Sequence, residues 1–400
     1  MKSIFTILAL GALCCSPLLA AQKQPLKVFL LAGQSNMQGH AKVSTFEHIG
    51  MDPATKPLLD AMLGADGRPR VCERVWISSI GCAGDDTTEQ TGRLTAGFGA
   101  TKEKIGPEFT FGLTMEKLTD APILLIKTSW GGKSLNTDFR PPSAGPYVFN
   151  ETQLAQFQKQ GKDITAIKAA KEKETGVYYR LMIEHVKRVL ADPKRVVPDY
   201  DPAQGFELAG FVWFQGWNDL VDSGTYPQRD KPGGYDAYAT ALAHFIRDVR
   251  RDLGAPKLPF VIGVLGVGGP VAEYGADEKR YAATHQNFRD AMAAPAKLPE
   301  FQGNVVAVLT EKYWDRELKA ARAKEAKLKE QAKKLAKDGK LKPAEEKAAL
   351  EKLLTEGLTE RERTVLAKGI SNAEFHYLGS AKILGGIGKA LAEAMGELRR

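Results

Sequence analysis

Six short, almost uninterrupted apolar runs are spread along the chain and constrain its fold more than any other feature. They lie at 26–32, 75–78, 122–128, 208–214, 259–265 and 305–309. Continuous apolar runs of this length are typical of strands buried on both faces. Helix-like stretches separate them, including 177–190 and 235–253. Strands that alternate with helices predict an α/β fold, a three-layer α/β/α sandwich with a mainly parallel sheet.

The first 21 residues have the composition of a secretory signal peptide. Lys2 supplies a positive charge, residues 4–13 are apolar, and the segment 16–21 ends in small residues. The apolar stretch is too short to span a bilayer. Cys14 and Cys15 suggest a lipoprotein as the alternative, but a small residue does not precede them as lipid modification requires. We therefore expect a secreted or periplasmic protein with no integral membrane segment in its mature chain.

Two cysteines follow the predicted signal peptide, Cys72 and Cys82. An export signal implies an oxidising compartment, in which these two residues can form a disulfide. The alternative is a pair of buried free thiols, and the sequence leaves both arrangements open.

Residues 315–368 differ from the rest of the chain and predict a charged helical insert. They contain 16 Lys and Arg against 11 Asp and Glu, so 5 of the 8 net positive charges lie here. A turn signal at 338–339, the restart at Pro343 and a capping box from Thr359 to Glu362 divide the segment into helices. A basic arm that contacts an anionic polymer is one interpretation. The mixed signs favour a solvated helical hairpin, so we expect no nucleic-acid partner.

Three polar motifs each follow an apolar run directly. Because the carboxyl ends of parallel strands meet at one edge of a sheet, where open α/β sheets bind ligands, the motifs are expected to lie together. Each motif taken alone also fits an ordinary turn. The motifs are Gly33-Gln34-Ser35-Asn36-Met37, Ser129-Trp130-Gly131-Gly132-Lys133-Ser134 and Trp213-Phe214-Gln215-Gly216-Trp217-Asn218-Asp219.

A fourth motif lies near the end of the chain, at 372–379, and contains His376. Acyl transfer by a serine nucleophile requires a serine hydroxyl, a histidine, and backbone or amide hydrogen-bond donors, and the four motifs together contain all of these groups. A lone histidine is also commonly structural. No pair of histidines has the spacing of metal ligands, so we expect neither a catalytic metal nor another cofactor.

These motifs, in this order, resemble the SGNH hydrolase superfamily and specifically its sialate O-acetylesterase-like domains (SASA, carbohydrate esterase family 6). The resemblance covers roughly residues 26–310 and 369–400. It rests on the nucleophile block at 33–37, a helix start at Gly106-Pro107-Glu108, the two later strand motifs and His376. It implies an SGNH or flavodoxin-like esterase domain made of residues 22–314 and 369–400, interrupted by the insert at 315–368.

The resemblance also implies the role of each site residue. Ser35 is the expected nucleophile and His376 the expected general base. The expected oxyanion donors are the N–H groups of Ser35 and of Gly131 or Gly132, with the side-chain amide of Gln215 or Asn218.

One departure from the family pattern concerns the group that orients the base. The family has Asp three residues before this histidine, where this chain has Ala373. Glu374 is the candidate replacement. The alternatives are Asp219, Asp315, a main-chain carbonyl, or a Ser–His dyad without a third group.

The implied function is that of a secreted carbohydrate O-acetylesterase, whose partner is an acetylated carbohydrate. Trp130, Trp217 and Tyr377 are candidate stacking faces for the sugar, although core packing explains them equally well. Three other functions stay open: a non-catalytic glycan-binding protein, an SGNH lipase or thioesterase, and an interaction role built on the insert.

Overall fold

The sheet of this protein consists of seven strands with the first strand at its centre. The computed structural model describes residues 24–82 and 84–400, so the predicted signal peptide lies outside the described residues. The strands are β1 Leu26–Gly33, β2 Ala41–Lys42, β3 Val75–Ile80, β4 Glu89–Arg93, β5 Lys104–Ile105, β6 Ile123–Ser129, β7 Phe206–Phe214, β8 Phe260–Val264 and β9 Val305–Leu309. The sheet order is β4-β3-β6-β1-β7-β8-β9, and β2 pairs with β5 in a separate ribbon.

Helices cover both faces of this sheet, as a three-layer sandwich requires. One layer contains α4 and α14, which pack against each other, and the other contains α7, α9 and α10. The helices are α1 Ser35–Gln38, α2 Phe46–Gly50, α3 Lys56–Met62, α4 Pro107–Leu118, α5 Glu151–Lys159, α6 Ile164–Glu174, α7 Val177–Ala191, α8 Trp217–Val221, α9 Asp236–Asp252, α10 Ala282–Ala293, α11 Arg316–Gly339, α12 Pro343–Gly357, α13 Glu360–Gly369 and α14 Ala381–Leu398. The predicted fold class is confirmed.

All six apolar runs form strands of the sheet, and these six strands run parallel to one another. The sequence did not predict β4, which pairs antiparallel with β3 at the edge of the sheet. Its residues are polar and partly exposed, and natural sheets commonly carry polar and charged side chains on their edge strands.

Aromatic packing fixes β7, the strand that carries the third motif. Phe245 of α9 lies 4.4 Å from the ring centre of Trp213 and 5.9 Å from that of Phe211. Phe211 also stacks on Phe260 of β8 at 4.6 Å. Each such pair contributes about 0.5–1.5 kcal/mol beyond the area it buries. The end of β7 is therefore held in a rigid part of the core.

The predicted insert forms three helices, α11 to α13, with their ends close to the predicted turn signals. The capping box between Thr359 and Glu362 is present at the start of α13. Ion pairs connect α11 with α13, for example between Lys324 and Glu362 at 2.8 Å. Charged side chains of both signs thus pair between these helices, and their role as an insert in the domain stays a prediction.

Two further expectations concern cysteines and membranes. Cys72 and Cys82 are buried free thiols, so the structure has the second of the two arrangements that the sequence left open. Burial raises the pKa of the Cys72 thiol to about 12, with the negative charge of Glu116 adding to this effect. In the described part of the chain, no helix has both the length and the apolar character needed to cross a bilayer.

Candidate active site

Three adjacent strands bring the polar motifs together. The last residue of β1, Gly33, pairs with Ser129 of β6 on one side and with Phe214 of β7 on the other. The motifs that follow these strands therefore emerge side by side at the carboxyl edge of the sheet. The close approach requires glycine at position 33, since an added Cβ would lie 2.1 Å from the carbonyl oxygen of Phe214.

Ser35 begins α1 immediately after this strand, and its side chain is 6% exposed. The first N–H groups of a helix have no acceptor within the helix. Within the described residues, neither the N–H of Ser35 nor that of Gly131 donates a hydrogen bond, and Gly131 is exposed. These two groups are therefore free to donate to a ligand.

The side chain of Gln34 ties the nucleophile block to the third motif. Its Oε1 accepts from the N–H of Gly216 at 2.9 Å and from Nε2 of Gln215 at 3.1 Å. Its Nε2 donates to Oδ1 of Asn218 at 2.8 Å. Asn218 in turn donates through Nδ2 to the carbonyl oxygen of Gly132 at 3.0 Å. The two amides expected to bind an oxyanion thus make hydrogen bonds that join the motifs, and Gln215 is fully buried.

Asp219 is a buried carboxylate that connects the second and third motifs. It accepts from the N–H of Leu135 at 2.7 Å, from the N–H and Nδ2 of Asn136, from Nε2 of Gln215 at 2.7 Å and from the hydroxyl of Tyr226 at 3.0 Å. Burial raises its pKa, while these hydrogen bonds lower it. Because its acceptor sites face these donors, Asp219 is not the group that orients His376.

His376 lies in a tight loop whose backbone is strained. The next two residues, Tyr377 and Leu378, have left-handed φ angles of 52° and 60°. Such residues cost on the order of 1–3 kcal/mol each and persist only where the surroundings enforce them. The hydroxyl of Tyr377, which bonds Gly266 N–H and Thr310 Oγ1 at 2.8 Å each, anchors this loop in the core.

The side chain that hydrogen-bonds the His376 ring is an amide. Nδ1 of His376 lies 2.8 Å from Oδ1 of Asn372, four residues earlier in the chain. The predicted candidate, Glu374, instead pairs with Arg322 of α11 at 3.0 Å. The other named carboxylate, Asp315, caps α11 and pairs with Lys382 at 2.9 Å. Of the described residues, only Asn372 hydrogen-bonds the His376 ring.

His376 does not hydrogen-bond Ser35, although its loop contacts α1. Hydrogen bonds between catalytic groups commonly shorten when substrate binds. Burial lowers the pKa of His376 to about 4, and the positive charge of Lys104 adds to this effect. The ring is therefore neutral, and able to accept a proton, at neutral pH.

A second histidine lies directly on the first. The rings of His40 and His376 are stacked, with centres 3.9 Å apart and planes inclined by 2°. His40 follows Gly39, where a Cβ would meet Cα of Gly106 at 2.1 Å, so the chain turns sharply after α1. Burial lowers the pKa of His40 to about 3, with further contributions from His376, Lys104 and Lys127.

Two of the three predicted sugar-stacking residues are core residues. Trp130 is 1% exposed, donates through Nε1 to the carbonyl oxygen of Asp86, and packs against Phe139 and Tyr178. Tyr377 is fully buried. Neither can offer a ring face to a sugar, so core packing is the correct interpretation for both.

The third, Trp217, is half-buried and stacks on Phe375, with ring centres 5.7 Å apart. Phe375 is 38% exposed and also packs edge-on against the His376 ring at 4.3 Å. The two aromatic rings therefore form an accessible apolar surface next to the candidate base.

A buried ion pair supports the end of α1. Nζ of Lys127 lies 2.8 Å from Oε2 of Glu108 and donates to the carbonyl oxygens of Gln38 and Phe98 at 2.8 and 2.7 Å. Neither charged side chain is exposed. Since Gln38 ends α1, this pair fixes the short helix that carries Ser35.

Within residues 24–82 and 84–400, no cluster of His, Cys, Asp and Glu side chains is suited to hold a metal ion.

The sequence reasoning missed Asn372, His40 and Phe375. Phe375 and Asn372 lie in the motif that contains His376, so proximity in sequence was an available signal. No signal indicated which side chain of that motif faces the ring. His40 reaches His376 only through the tertiary fold, because 336 positions separate them.

Comparison with known proteins identifies the family of this chain. A sequence profile of the family described as carbohydrate esterase, sialic acid-specific acetylesterase, matches residues 25–296, which is more than half of the chain. The protein belongs to this family, and its membership supports carbohydrate esterase activity. The comparison with curated proteins gives no match.

Two solved structures are similar to this chain at low identity. A protein from Arabidopsis thaliana is 16% identical, with a TM-score of 0.38 over 72% of this chain and 86% of that one. A carbohydrate acetylesterase from Xanthomonas citri is 15% identical, with a TM-score of 0.38 over 70% of this chain. This chain spans 49% of the length of that second protein.

Proposed function

We propose that this protein is a serine esterase that removes O-acetyl groups from carbohydrates through an acetyl-enzyme intermediate. The observation that carries the proposal is the combination of Ser35, the free N–H groups of Ser35 and Gly131, and the oriented His376 around one edge of the sheet. Family membership supports the carbohydrate substrate. The acetyl group and the mechanism are parts of the proposal.

The first half of the reaction forms the acetyl-enzyme. Nδ1–H of His376 donates to Oδ1 of Asn372, which leaves the lone pair of Nε2 free to take the proton of the Ser35 hydroxyl. Oγ of Ser35 attacks the acetyl carbonyl carbon. The tetrahedral oxyanion accepts from the N–H groups of Ser35 and Gly131, each contributing about 3 kcal/mol. His376 then returns the proton to the sugar oxygen, which leaves as a hydroxyl.

The second half releases acetate. Water replaces the sugar and gives a proton to Nε2 of His376, and the resulting hydroxide attacks the acetyl carbon. The C–O bond to Ser35 breaks, and His376 protonates the serine oxygen. The same two N–H donors stabilise the second oxyanion.

The orienting residue gives this site a Ser–His–Asn arrangement. An amide oxygen fixes the tautomer of the base as a carboxylate does, but it provides no negative charge for the imidazolium. We expect Asn372→Ala to lower kcat by about 10²-fold, because the imidazole then loses its orientation and tautomer preference.

The test compares acetate release from 4-nitrophenyl acetate and from acetylated sugars by the wild type and two variants. Ser35→Ala is expected to lower kcat/KM by at least about 10³-fold. Ser223→Ala is the matched control, since Ser223 is exposed and its hydroxyl makes no hydrogen bond in the described residues. Equal rates for the wild type and Ser35→Ala would refute the proposal.

The preferred acyl chain distinguishes an acetylesterase from a lipase or thioesterase. An acetylesterase loses activity steadily from acetyl to octanoyl esters, while a lipase gains it. Glycan binding without turnover, unchanged in His376→Ala, would indicate a non-catalytic protein instead.

We also propose that the esterase is exported, on the support of the signal-peptide pattern in the first 21 residues. N-terminal sequencing of protein purified from its natural host is expected to begin after residue 21. A mature protein that retains Met1 would contradict export by this signal.

A further inference from the structure

The stacked rings of His40 and His376 share one amide partner. Oδ1 of Asn372 lies 2.8 Å from Nδ1 of His376, and Nδ2 of the same amide lies 3.5 Å from Nδ1 of His40. The ring centres are 3.9 Å apart and nearly parallel. One amide therefore bridges two imidazoles, using its acceptor for one and its donor for the other.

The chemistry of the neighbours fixes the proton positions on both rings. Nζ of Lys104 lies 3.4 Å from Nδ1 of His40, and both an ammonium and an amide NH₂ are donors only. Nδ1 of His40 must therefore accept, so this ring is neutral with its proton on Nε2. Because Oδ1 of Asn372 can only accept, the Nδ1 of His376 must carry a proton, which leaves its Nε2 unprotonated when the ring is neutral.

We propose that His40 is a positioning residue that holds His376 neutral in mildly acidic as well as neutral solution, while Asn372 holds its proton on Nδ1 and leaves Nε2 free. The proposal deepens the proposed function and rests on it for the role of His376. His40 acts through the base: its ring covers one face of the imidazole and keeps water away from it, which disfavours the charged form.

The charged groups around the pair support this assignment. On the elements packed against the His376 loop, Lys382 of α14 pairs with Asp52 and Asp315, and Glu374 pairs with Arg322. Lys42 of β2 has an exposed side chain, which water screens.

Lys104 of β5 is the charged group that bears on both rings, and Lys127 of β6, already paired with Glu108, adds to the effect on His40. Both are cations, so both oppose protonation of the imidazoles.

The arrangement also explains why an amide occupies the orienting position. A carboxylate at position 372 could not donate to His40 and would favour a proton on both rings. Burial of the stacked rings and the charge of Lys104 agree in direction with the lowered pKa values of about 3 for His40 and about 4 for His376.

The expected consequence is activity that persists in acid. With a pKa of about 4, most His376 rings are neutral at pH 5. With the ordinary value of about 6.5, only about one ring in 30 would be neutral at that pH. Removing the His40 ring is therefore expected to lower kcat/KM at pH 5, relative to its value at pH 8, by up to about 30-fold.

The test combines a pH–rate profile with an NMR titration of the histidine rings. His40→Ala and Asn372→Asp are both expected to move the acid limb of kcat/KM, and the titration of His376, upward toward pH 6.5. His40→Phe restores a stacked ring and is expected to move them less than His40→Ala. His244→Gln is the matched control, because His244 lies on α9 and hydrogen-bonds Ser143.

Two results would overturn the proposal. One is a wild-type His376 that titrates near pH 6.5, which needs no variant to detect. The other is a folded His40→Ala protein, checked by circular dichroism, whose acid limb is unchanged. The NMR titration requires no turnover, so an inactive wild type would refute the esterase while the titration still tests the role of His40.

Discussion

The buried ion pair between Lys127 and Glu108 offers a quantitative test of how the fold positions the nucleophile. Both side chains are fully buried, and the ammonium makes hydrogen bonds to one carboxylate and two backbone carbonyls. Glu108→Gln keeps the shape of the side chain but removes its negative charge. The ammonium of Lys127 then stays buried without a counter-charge.

The expected loss of stability follows from this burial. Removing one partner of a buried ion pair costs about 3–5 kcal/mol, because an uncompensated charge is left in the interior. Urea unfolding followed by tryptophan fluorescence measures the change as a lower midpoint. We also expect kcat to fall in folded Glu108→Gln, since Lys127 holds the carbonyl of Gln38 at the end of the nucleophile helix.

Asp60→Asn provides the matched control on an exposed ion pair. Asp60 lies 2.7 Å from Lys56, with both side chains more than half exposed, and such pairs contribute about 0.3–0.5 kcal/mol. The double variant Lys127→Met/Glu108→Gln is expected to lose less stability than the sum of the two single variants. If Glu108→Gln loses no more than Asp60→Asn, the reasoning about the buried pair is wrong.

Three further predictions concern the base, the substrate surface and acid stability. Glu374→Gln is expected to keep kcat/KM within about threefold of the wild type, because the Glu374 carboxylate faces Arg322. A loss of activity comparable to that of Asn372→Ala would instead indicate that Glu374 orients His376. Trp217→Ala is expected to raise KM for acetylated sugars about tenfold, because the Trp217–Phe375 surface would contact the sugar. KM for 4-nitrophenyl acetate should change little. Equal changes in both KM values would argue against that contact. Burial lowers the pKa of His185 to about 4, so the unfolded chain takes up this proton first as pH falls from about 6.5 to 4. The free energy of unfolding from urea titrations should therefore fall across this window, by up to about 1.4 kcal/mol per pH unit for this group, and should fall less in His185→Gln. An identical slope in the variant would contradict the assignment.

The sequence predicted the sheet and the meeting of the motifs because both depend on local patterns. Apolar runs mark buried strands, and motifs that follow parallel strands must share one edge. Ser35, Gly131 and Gln215 come from β1, β6 and β7, which are neighbours in the sheet. The polar edge strand β4 lacked this pattern and was missed.

The finer details of the site depend on contacts that no local pattern encodes. Trp130 and Tyr377 lie in or beside polar motifs, yet both point into the core, which sequence alone does not reveal. The choice between Glu374 and Asn372 depends on a loop with two left-handed residues. Asn372 lies four positions before His376, a spacing that places two residues on one face of a regular helix. Because this loop is not a regular helix, that spacing alone did not predict the contact.

The most direct test of the central claim is to identify the residue that becomes acetylated during turnover. Rapid acid quenching with excess acetylated sugar, followed by peptide mass spectrometry, is expected to find one added acetyl group on the peptide that contains Ser35. The adduct should be absent in Ser35→Ala and present in Ser223→Ala. Acetate release with the acetyl group on another residue, or undiminished release by Ser35→Ala, would contradict the account.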